Sequence, residues 1–162
     1  MESKMKNIQL THGQVALVDD DMFDYLNQWK WRAIKRKNTY YAVRCSPRSK
    51  GKKGVYFMHH CIISVSNGMV VDHRNMNGLD NRRENLRECS RADNCRHQGL
   101  QSNNSSGHVG VSFCKAQDKW QSYIKVNGKM IHLGLYELID DAILARKEAA
   151  IIHHGEFAFI GE

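Results

Sequence analysis

Short runs of alternating hydrophobic and polar residues fill the first third of the chain. Residues 15–18, 40–44 and 55–58 each alternate as half-buried strands do. The acidic turn 19–21 follows the first run and predicts a helix cap. It is followed by an apolar set made of Phe23, Leu26 and Trp29. The pattern predicts a β-rich N-terminal segment over residues 1–58.

The last third of the chain has the pattern of a three-stranded sheet followed by a helix. Strand-like runs occupy residues 108–114, 119–126 and 129–134, and Asn127-Gly128 between the last two is a typical hairpin turn. Residues 140–154 are rich in alanine and predict a helix that Gly155 ends. Its predicted apolar face consists of Leu138, Ala142, Ala145, Ala149 and Ile152.

Alternation also assigns the two faces of this predicted sheet. Ile124 lies on the side of Trp120 and Ser122, and with Val111, Ile131 and Leu133 it suits a core under the helix. The residues expected on the outward face are Ser112, Gln121, Tyr123, Lys125, Met130 and His132.

The middle of the chain has strands that are shorter and richer in polar residues. A β run at residues 69–71 ends in Asp72-His73, a loop rich in Asn and Gly follows, and residues 85–87 return as a second strand. Ser90 then predicts a helix N-cap, with Asp93 three residues on as its capping-box partner. The predicted order is strand, loop, strand, helix, and residues 98–107, rich in Asn, Ser and Gly, predict a linker after it.

This polar unit has residues suited to phosphodiester hydrolysis. His73 suits a general base that is mostly neutral near pH 7, and Asp72 suits a ligand of a hard cation. Adjacent strand residues point to opposite sides, so a phosphate can lie between base and metal. Asn94 in the following helix can supply a second oxygen ligand, as Mg²⁺ prefers. The alternative is a polar turn that contains these residues by chance.

The segment 56–97 resembles the HNH nuclease family, in the Asn-ending variant of phage-intron homing endonucleases. The resemblance rests on residues 58–63, Val71-Asp72-His73, the segment 81–87 and Asn94. It implies that Asp72 and Asn94 are metal ligands, that His73 is the general base, and that Asn85 braces the loop and orients His73. The last motif position is Asn94 where many members have His, which favours exchangeable Mg²⁺ or Mn²⁺ over a tightly bound transition metal.

Residues 106–157 resemble the Apetala-type domain of plant ethylene-response factors, a module that phage HNH endonucleases often carry. The resemblance implies that the sheet lies in the DNA major groove with the helix packed behind it. Plant members have arginine or tryptophan at several outward positions where this chain has Ser112, Lys125 and His132. The plant target sequence is therefore not transferred. The alternative is an ordinary solvated sheet face.

Charge supports a polyanionic partner without proving one. The 162 residues have a formal net charge of +7 and a pI of about 9.2. Four basic residues lie in the loop 46–54 and are candidates for phosphate contact, the alternative being a solvated turn: Arg48, Lys50, Lys52 and Lys53.

Other features exclude several classes of protein. No apolar run approaches the length of a membrane span, and the N-terminus lacks the apolar core of a secretory signal, so a cytoplasmic location is expected. The five cysteines are odd in number and include no C-x-x-C pair. We expect reduced, mostly buried thiols and neither a disulfide framework nor a four-cysteine zinc site.

The sequence thus predicts an α+β protein with four parts: a β-rich segment (1–58), a ββα-metal nuclease core (59–98), a linker (99–107) and a DNA-binding domain (108–162). The predicted function is metal-dependent hydrolysis of double-stranded DNA by a monomeric, site-preferring homing endonuclease that nicks one strand. Two alternatives stay open. The chain can be a DNA-binding regulator with a decayed nuclease, or a non-specific defence nuclease.

Overall fold

The computed structural model describes residues 4–36, 39–45, 54–97, 99–100 and 103–161. The chain forms two compact units, Met1–Arg91 and Ala92–Glu162. Small antiparallel sheets and four helices make up the described residues, in agreement with the predicted α+β class. The four predicted phosphate-contacting residues of the basic loop (Arg48, Lys50, Lys52 and Lys53) lie outside the described residues.

The described residues of the first unit form seven strands and two helices. In chain order these are β1 (Met5–Gln9), β2 (Val15–Asp19), α1 (Asp20–Asn27), β3 (Arg32–Arg36), β4 (Thr39–Cys45), β5 (Val55–Phe57), α2 (His59–Ile62), β6 (Val70–His73) and β7 (Leu86–Cys89). The strands pair antiparallel as β1-β2, β3-β4-β5 and β6-β7. The helix α3 (Arg91–Arg96) begins where this unit ends.

Two of these strands, β1 and β3, were not predicted. Each buries a single side chain, Ile8 in β1 and Ala33 in β3, so neither has the alternation that marks a half-buried strand. Their backbones are held by pairing with β2 and β4, which is information from distant parts of the chain.

The core of the first unit lies between β1-β2, α1 and the start of α2. Its buried members are Ile8, Ala16, Val18, Leu26, Trp31, Ala42 and Met58. The indole of Trp31 donates its N–H to the carbonyl of Leu26 at 2.8 Å, so the polar atom of this large buried ring is satisfied.

The predicted cap at the start of α1 takes a different form. Asp19 occupies the N-cap position, but its side chain makes no capping hydrogen bond. Its Oδ2 instead accepts a hydrogen bond from the backbone N–H of Arg83 at 2.8 Å. The carboxylate therefore ties the start of the helix to the loop between β6 and β7.

The second unit contains β8 (Val111–Cys114), β9 (Lys119–Val126), β10 (Lys129–Tyr136) and α4 (Ile139–His154). The sheet is antiparallel with β9 in the centre, and α4 packs on it, as the pattern predicts. Asn127 and Gly128 have φ of 49° and 82°, the positive values that a two-residue hairpin turn of the I′ type requires. The strand β10 is longer than predicted because a bulge between His132 and Gly134 lets pairing continue to Tyr136.

The buried face of α4 differs from the predicted one. Ala142 and Ala149 are buried as expected, but Leu138 and Ile152 are 63% and 76% exposed. Arg146 and His154 share the buried face. Ile131, expected in the core under the helix, is 38% exposed on the edge strand β10, whereas Ile124 on the central strand is buried.

The predicted linker includes an ordered turn near its end. Oδ1 of Asn104 accepts hydrogen bonds from Gly107 N–H at 2.7 Å and from the Ser106 hydroxyl at 3.2 Å. The boundaries predicted for the linker and for the domains on either side of it stay predictions.

The five cysteines are free thiols, but the expectation that most are buried is wrong. Cys89 is buried, Cys61 and Cys114 are half-buried, and Cys45 and Cys95 are exposed. Separately, none of the helices in the described part of the chain combines the length and hydrophobicity that crossing a bilayer requires.

Candidate active site

The two-stranded sheet β6-β7 positions the first two site residues. In its register Asp72 pairs with Arg87 and His73 pairs with Leu86. Because neighbouring residues of a strand face opposite sides, the Asp72–Arg87 pair lies on one face and His73 lies on the other. All four residues are buried.

Asp72 forms a buried ion pair across the strands. Arg87 donates its Nε–H to Oδ2 of Asp72 at 2.8 Å, and Nη2 of Arg87 lies 2.7 Å from the same oxygen. The charge of the guanidinium compensates for the burial of the Asp72 carboxylate. No site role was predicted for Arg87, because its position opposite Asp72 follows from the strand register.

His73 lies in an aromatic environment. Its ring packs edge-on against Tyr41, with centroids 5.7 Å apart, and against His59 at 5.1 Å. Its Nε2 is buried and has no hydrogen-bond partner among the residues that the structure describes. Burial lowers the pKa of His73, while the side chain of Asn81 and the charges of Asp72 and Asp80 act in the opposite direction. The result is a neutral imidazole with a nitrogen available to accept a proton.

A second buried histidine supports this arrangement. His59 begins α2, stacks on Phe57 with centroids 5.2 Å apart, and is 7% exposed. Burial lowers its pKa to about 2, and the nearby His73 and His60 contribute to the shift. His59 is therefore uncharged at neutral pH and adds no positive charge beside His73.

The loop between β6 and β7 is braced by Asn85. Its Nδ2–H donates to the Asp80 carbonyl at 2.7 Å, and its Oδ1 accepts from the Asn75 N–H at 3.0 Å. The backbone carbonyl of Asn85 also accepts from the N–H of Arg74, the residue after His73. The side chain of Asn81, which is fully buried and for which no role was predicted, raises the pKa of His73 against the effect of burial.

Distant strands fix this loop in place. Leu17 in β2 donates its N–H to the Leu79 carbonyl and accepts from the Asn81 N–H, both at 2.8 Å. Gly78 packs so closely on β4 that a Cβ there would lie 2.5 Å from the Tyr40 carbonyl oxygen. The position of Asn81 beside His73 therefore depends on β2 and β4 as well as on the loop.

The second predicted metal ligand, Asn94, lies in α3 and is half-buried. It belongs to the second unit, and its joint action with Asp72 stays a prediction. Within the described ranges, no group of three or more His, Cys, Asp and Glu side chains is arranged to hold a metal ion. The predicted ligand pair, one carboxylate and one amide oxygen, is a different kind of donor set.

The outward face of the second sheet brings the predicted DNA-contacting residues together. Gln121 donates to the Ser112 hydroxyl at 3.1 Å and accepts from the Tyr123 hydroxyl at 2.7 Å. The Tyr123 and His132 rings meet edge-on at 5.0 Å. Lys125 and Met130 are paired in the register, and both are exposed. The face thus combines three hydrogen-bonded polar side chains, two aromatic rings in contact and an exposed lysine.

Comparison with known proteins gives one match. Residues 64–96 match the model of an HNH endonuclease family, described as HNH endonuclease. The matched segment includes Asp72, His73, Asn81, Asn85 and Asn94. Searches of the curated proteins and of the solved structures found no significant match. Residues 64–96 are therefore similar to HNH endonucleases, and this match supports a DNA endonuclease.

Proposed function

We propose that the protein is a Mg²⁺- or Mn²⁺-dependent homing endonuclease that hydrolyses phosphodiester bonds in double-stranded DNA at a preferred site. The observation that carries the proposal is the state of His73, a buried, neutral imidazole whose Nε2 has no partner in the described part of the chain. It lies beside a buried carboxylate, Asp72, inside the segment that matches HNH endonucleases.

In the proposed step, Nε2 of His73 accepts a proton from a water molecule as its oxygen attacks the phosphorus. The bond from phosphorus to the leaving oxygen breaks, and the imidazolium that forms is stabilised by the Asn81 amide and by the charges of Asp72 and Asp80. Asn85 keeps the surrounding loop in place through its hydrogen bonds to Asp80 and Asn75.

The residues present fit a hard divalent cation. Asp72 is a buried carboxylate that pairs with Arg87. Asn94 is proposed to add an amide oxygen, and Mg²⁺ and Mn²⁺ prefer oxygen donors of these kinds. When bound, the cation supplies charge stabilisation at the leaving oxygen.

Substrate positioning is assigned to the second unit. The proposed reader is the outward sheet face, with Gln121 and Tyr123 at its centre, as in the Apetala-type domains that this region resembles. Arg48, Lys50, Lys52 and Lys53 are proposed to add phosphate contacts. A chain with one Asp-His motif and one reader is proposed to act as a monomer, to nick one strand, and to work in the cytoplasm of a host cell.

Cleavage of a supercoiled plasmid that carries the mapped site tests the proposal. With Mg²⁺, open circles should accumulate before linear DNA, and end mapping should place the nick on one strand. Excess chelator should stop the reaction, and added Mg²⁺ or Mn²⁺ should restore it. Persistent cleavage in chelator would remove the metal role from Asp72 and Asn94. Linear DNA that forms as fast as open circles, with second-order dependence on protein, would indicate a dimer that cuts both strands.

A further inference from the structure

The buried face of α4 carries two basic side chains, whereas several apolar residues of the same helix face solvent. Arg146 and His154 are 8% and 9% exposed, and Leu144, Ile151 and Ile152 are each more than half exposed. A helix that packs on a sheet ordinarily buries its apolar stripe and exposes its charges. Burial of a guanidinium in this place therefore needs a specific reason.

The guanidinium of Arg146 has two buried nitrogens without a partner among the described residues. Its Nε and Nη1 have no hydrogen-bond partner in the part of the chain that the structure describes. Gly110 leaves space for the side chain, because a Cβ at that position would lie 2.7 Å from Nε. A buried, unpaired charge is costly, and buried arginines are ordinarily paired with an anion.

His154 presents a second unpaired nitrogen near the same guanidinium. Its Nε2 lies 3.1 Å from the Lys125 carbonyl oxygen, which can only accept, so this nitrogen donates. Its Nδ1 is buried and has no partner among the described residues. Burial lowers the pKa of His154, and the charges of Arg146 and Arg96 lower it further, against the effect of the hydrogen bond to Lys125. The positive charges of Arg146 and Arg96 therefore both act on His154.

These groups line a cavity of about 550 Å³ inside the second unit. Its walls come from α3, the turn before β8, the β9-β10 hairpin and α4, and the described lining residues include no carboxylate. Arg96 also lines the cavity but already has partners, since it pairs with Asp93 and donates a hydrogen bond to Asn127 at 3.1 Å. The unused donors are those of Arg146 and, on protonation, His154.

We propose that this cavity binds a phosphate group, held by the guanidinium of Arg146 with His154 as a second contact. The planar guanidinium matches the oxygens of a tetrahedral phosphate, and charge-assisted hydrogen bonds would compensate for its burial. The phosphate can come from free phosphate or a mononucleotide, or from the backbone of bound DNA. The site is separate from Asp72 and His73, and the proposal does not depend on their catalytic role.

Calorimetric titration of the full-length protein with inorganic phosphate at low ionic strength tests the proposal, with 5′-mononucleotide as a second probe and acetate as an anion control. Phosphate should bind with one site per chain, and acetate should bind at least tenfold more weakly. Arg146→Met should weaken phosphate binding at least tenfold. Lys147→Met, which removes the neighbouring positive charge of the same helix without touching the cavity, should leave it unchanged.

A second variant covers the case in which Arg146→Met does not fold. His154→Gln keeps a donor for the Lys125 carbonyl and removes the unpaired nitrogen, and it should weaken phosphate binding several-fold. Saturating duplex DNA distinguishes the sources: competition with phosphate assigns the cavity to the DNA backbone, and simultaneous binding assigns it to a free phosphate. Absence of phosphate binding at millimolar concentration, or equal binding by wild type and both variants, would overturn the proposal.

Discussion

Arg87 donates a hydrogen bond from Nε to Oδ2 of Asp72 at 2.8 Å, directly across the β6-β7 pair, and both side chains are buried. This places a guanidinium behind the carboxylate that is proposed to bind the metal. The pair compensates for the burial of both charged side chains.

Arg87→Met should therefore destabilise the protein by about 3–5 kcal/mol, because it leaves the Asp72 carboxylate buried without its partner. The double variant Asp72→Leu/Arg87→Met should lose less than the sum of the two single variants. Urea unfolding followed by circular dichroism measures both. The matched control is Arg83→Met, which breaks the exposed pair with Asp21 and should change the free energy of unfolding little. Equal losses in the two arginine variants would contradict the buried-pair argument.

His73→Ala should lower the cleavage rate by about 10²–10⁴, because a positioned general base contributes about that much. DNA affinity should survive, since the residue acts on water rather than on the bound duplex. His153→Ala on the surface of α4 is the control for loss of an imidazole. Single-turnover cleavage and gel-shift binding give the two readouts. A rate within a few-fold of wild type would remove His73 from its role.

The effect of the Asn81 side chain on the pKa of His73 should be measurable in the pH profile of cleavage. Burial lowers the pKa of His73 below its ordinary 6.5, so the base stays neutral at pH 6.5 and the rate should fall only at lower pH. The Asn81 side chain raises that pKa, and Asn81→Leu should therefore move the acidic limb to still lower pH. A structural role alone would reduce the rate without moving the limb. An unchanged limb would show that Asn81 does not act on His73.

His59 should make the protein sensitive to acid. Its pKa is about 2 in the folded state and about 6.5 when unfolded, so below pH 6.5 the unfolded chain binds a proton that the folded chain does not. The free energy of unfolding should fall by about 1.4 kcal/mol per pH unit from this group between pH 6 and 4. His59→Leu should reduce the slope by that amount, and His153→Leu serves as its control. Identical slopes for His59→Leu and wild type would refute the assignment.

Substitutions on the outward sheet face should separate effects on DNA affinity from effects on sequence specificity. Lys125→Ala should weaken binding evenly across sequences, because a phosphate contact carries no sequence information. It should also lower the number of counterions released on binding by about one, measured from the dependence of affinity on salt concentration. Gln121→Ala should lose about tenfold in preference for the mapped site over unrelated DNA. Lys147→Ala, on the helix behind the sheet, is the charge control. Site preference unaffected by Gln121→Ala would show that this face is not the reader.

The sequence by itself determined the local features of this protein. The Asn127-Gly128 turn, the alternation of β9 and the length of α4 are set by backbone preferences of neighbouring residues, and each appears as predicted. The spacing of Asp72, His73, Asn85 and Asn94 was likewise enough to indicate an HNH endonuclease, because that chemistry needs few residues at short separation.

Tertiary structure decided what depends on contacts between distant segments. The strands β1 and β3 lack alternation and are defined by their partners. Leu17 in β2 holds the loop that contains Asn81 by two backbone hydrogen bonds. Arg146 is buried because α4 turns a charged face toward the sheet, against its own apolar pattern. Burial, and with it the pKa of each site histidine, is a property of the packed chain that local sequence does not contain.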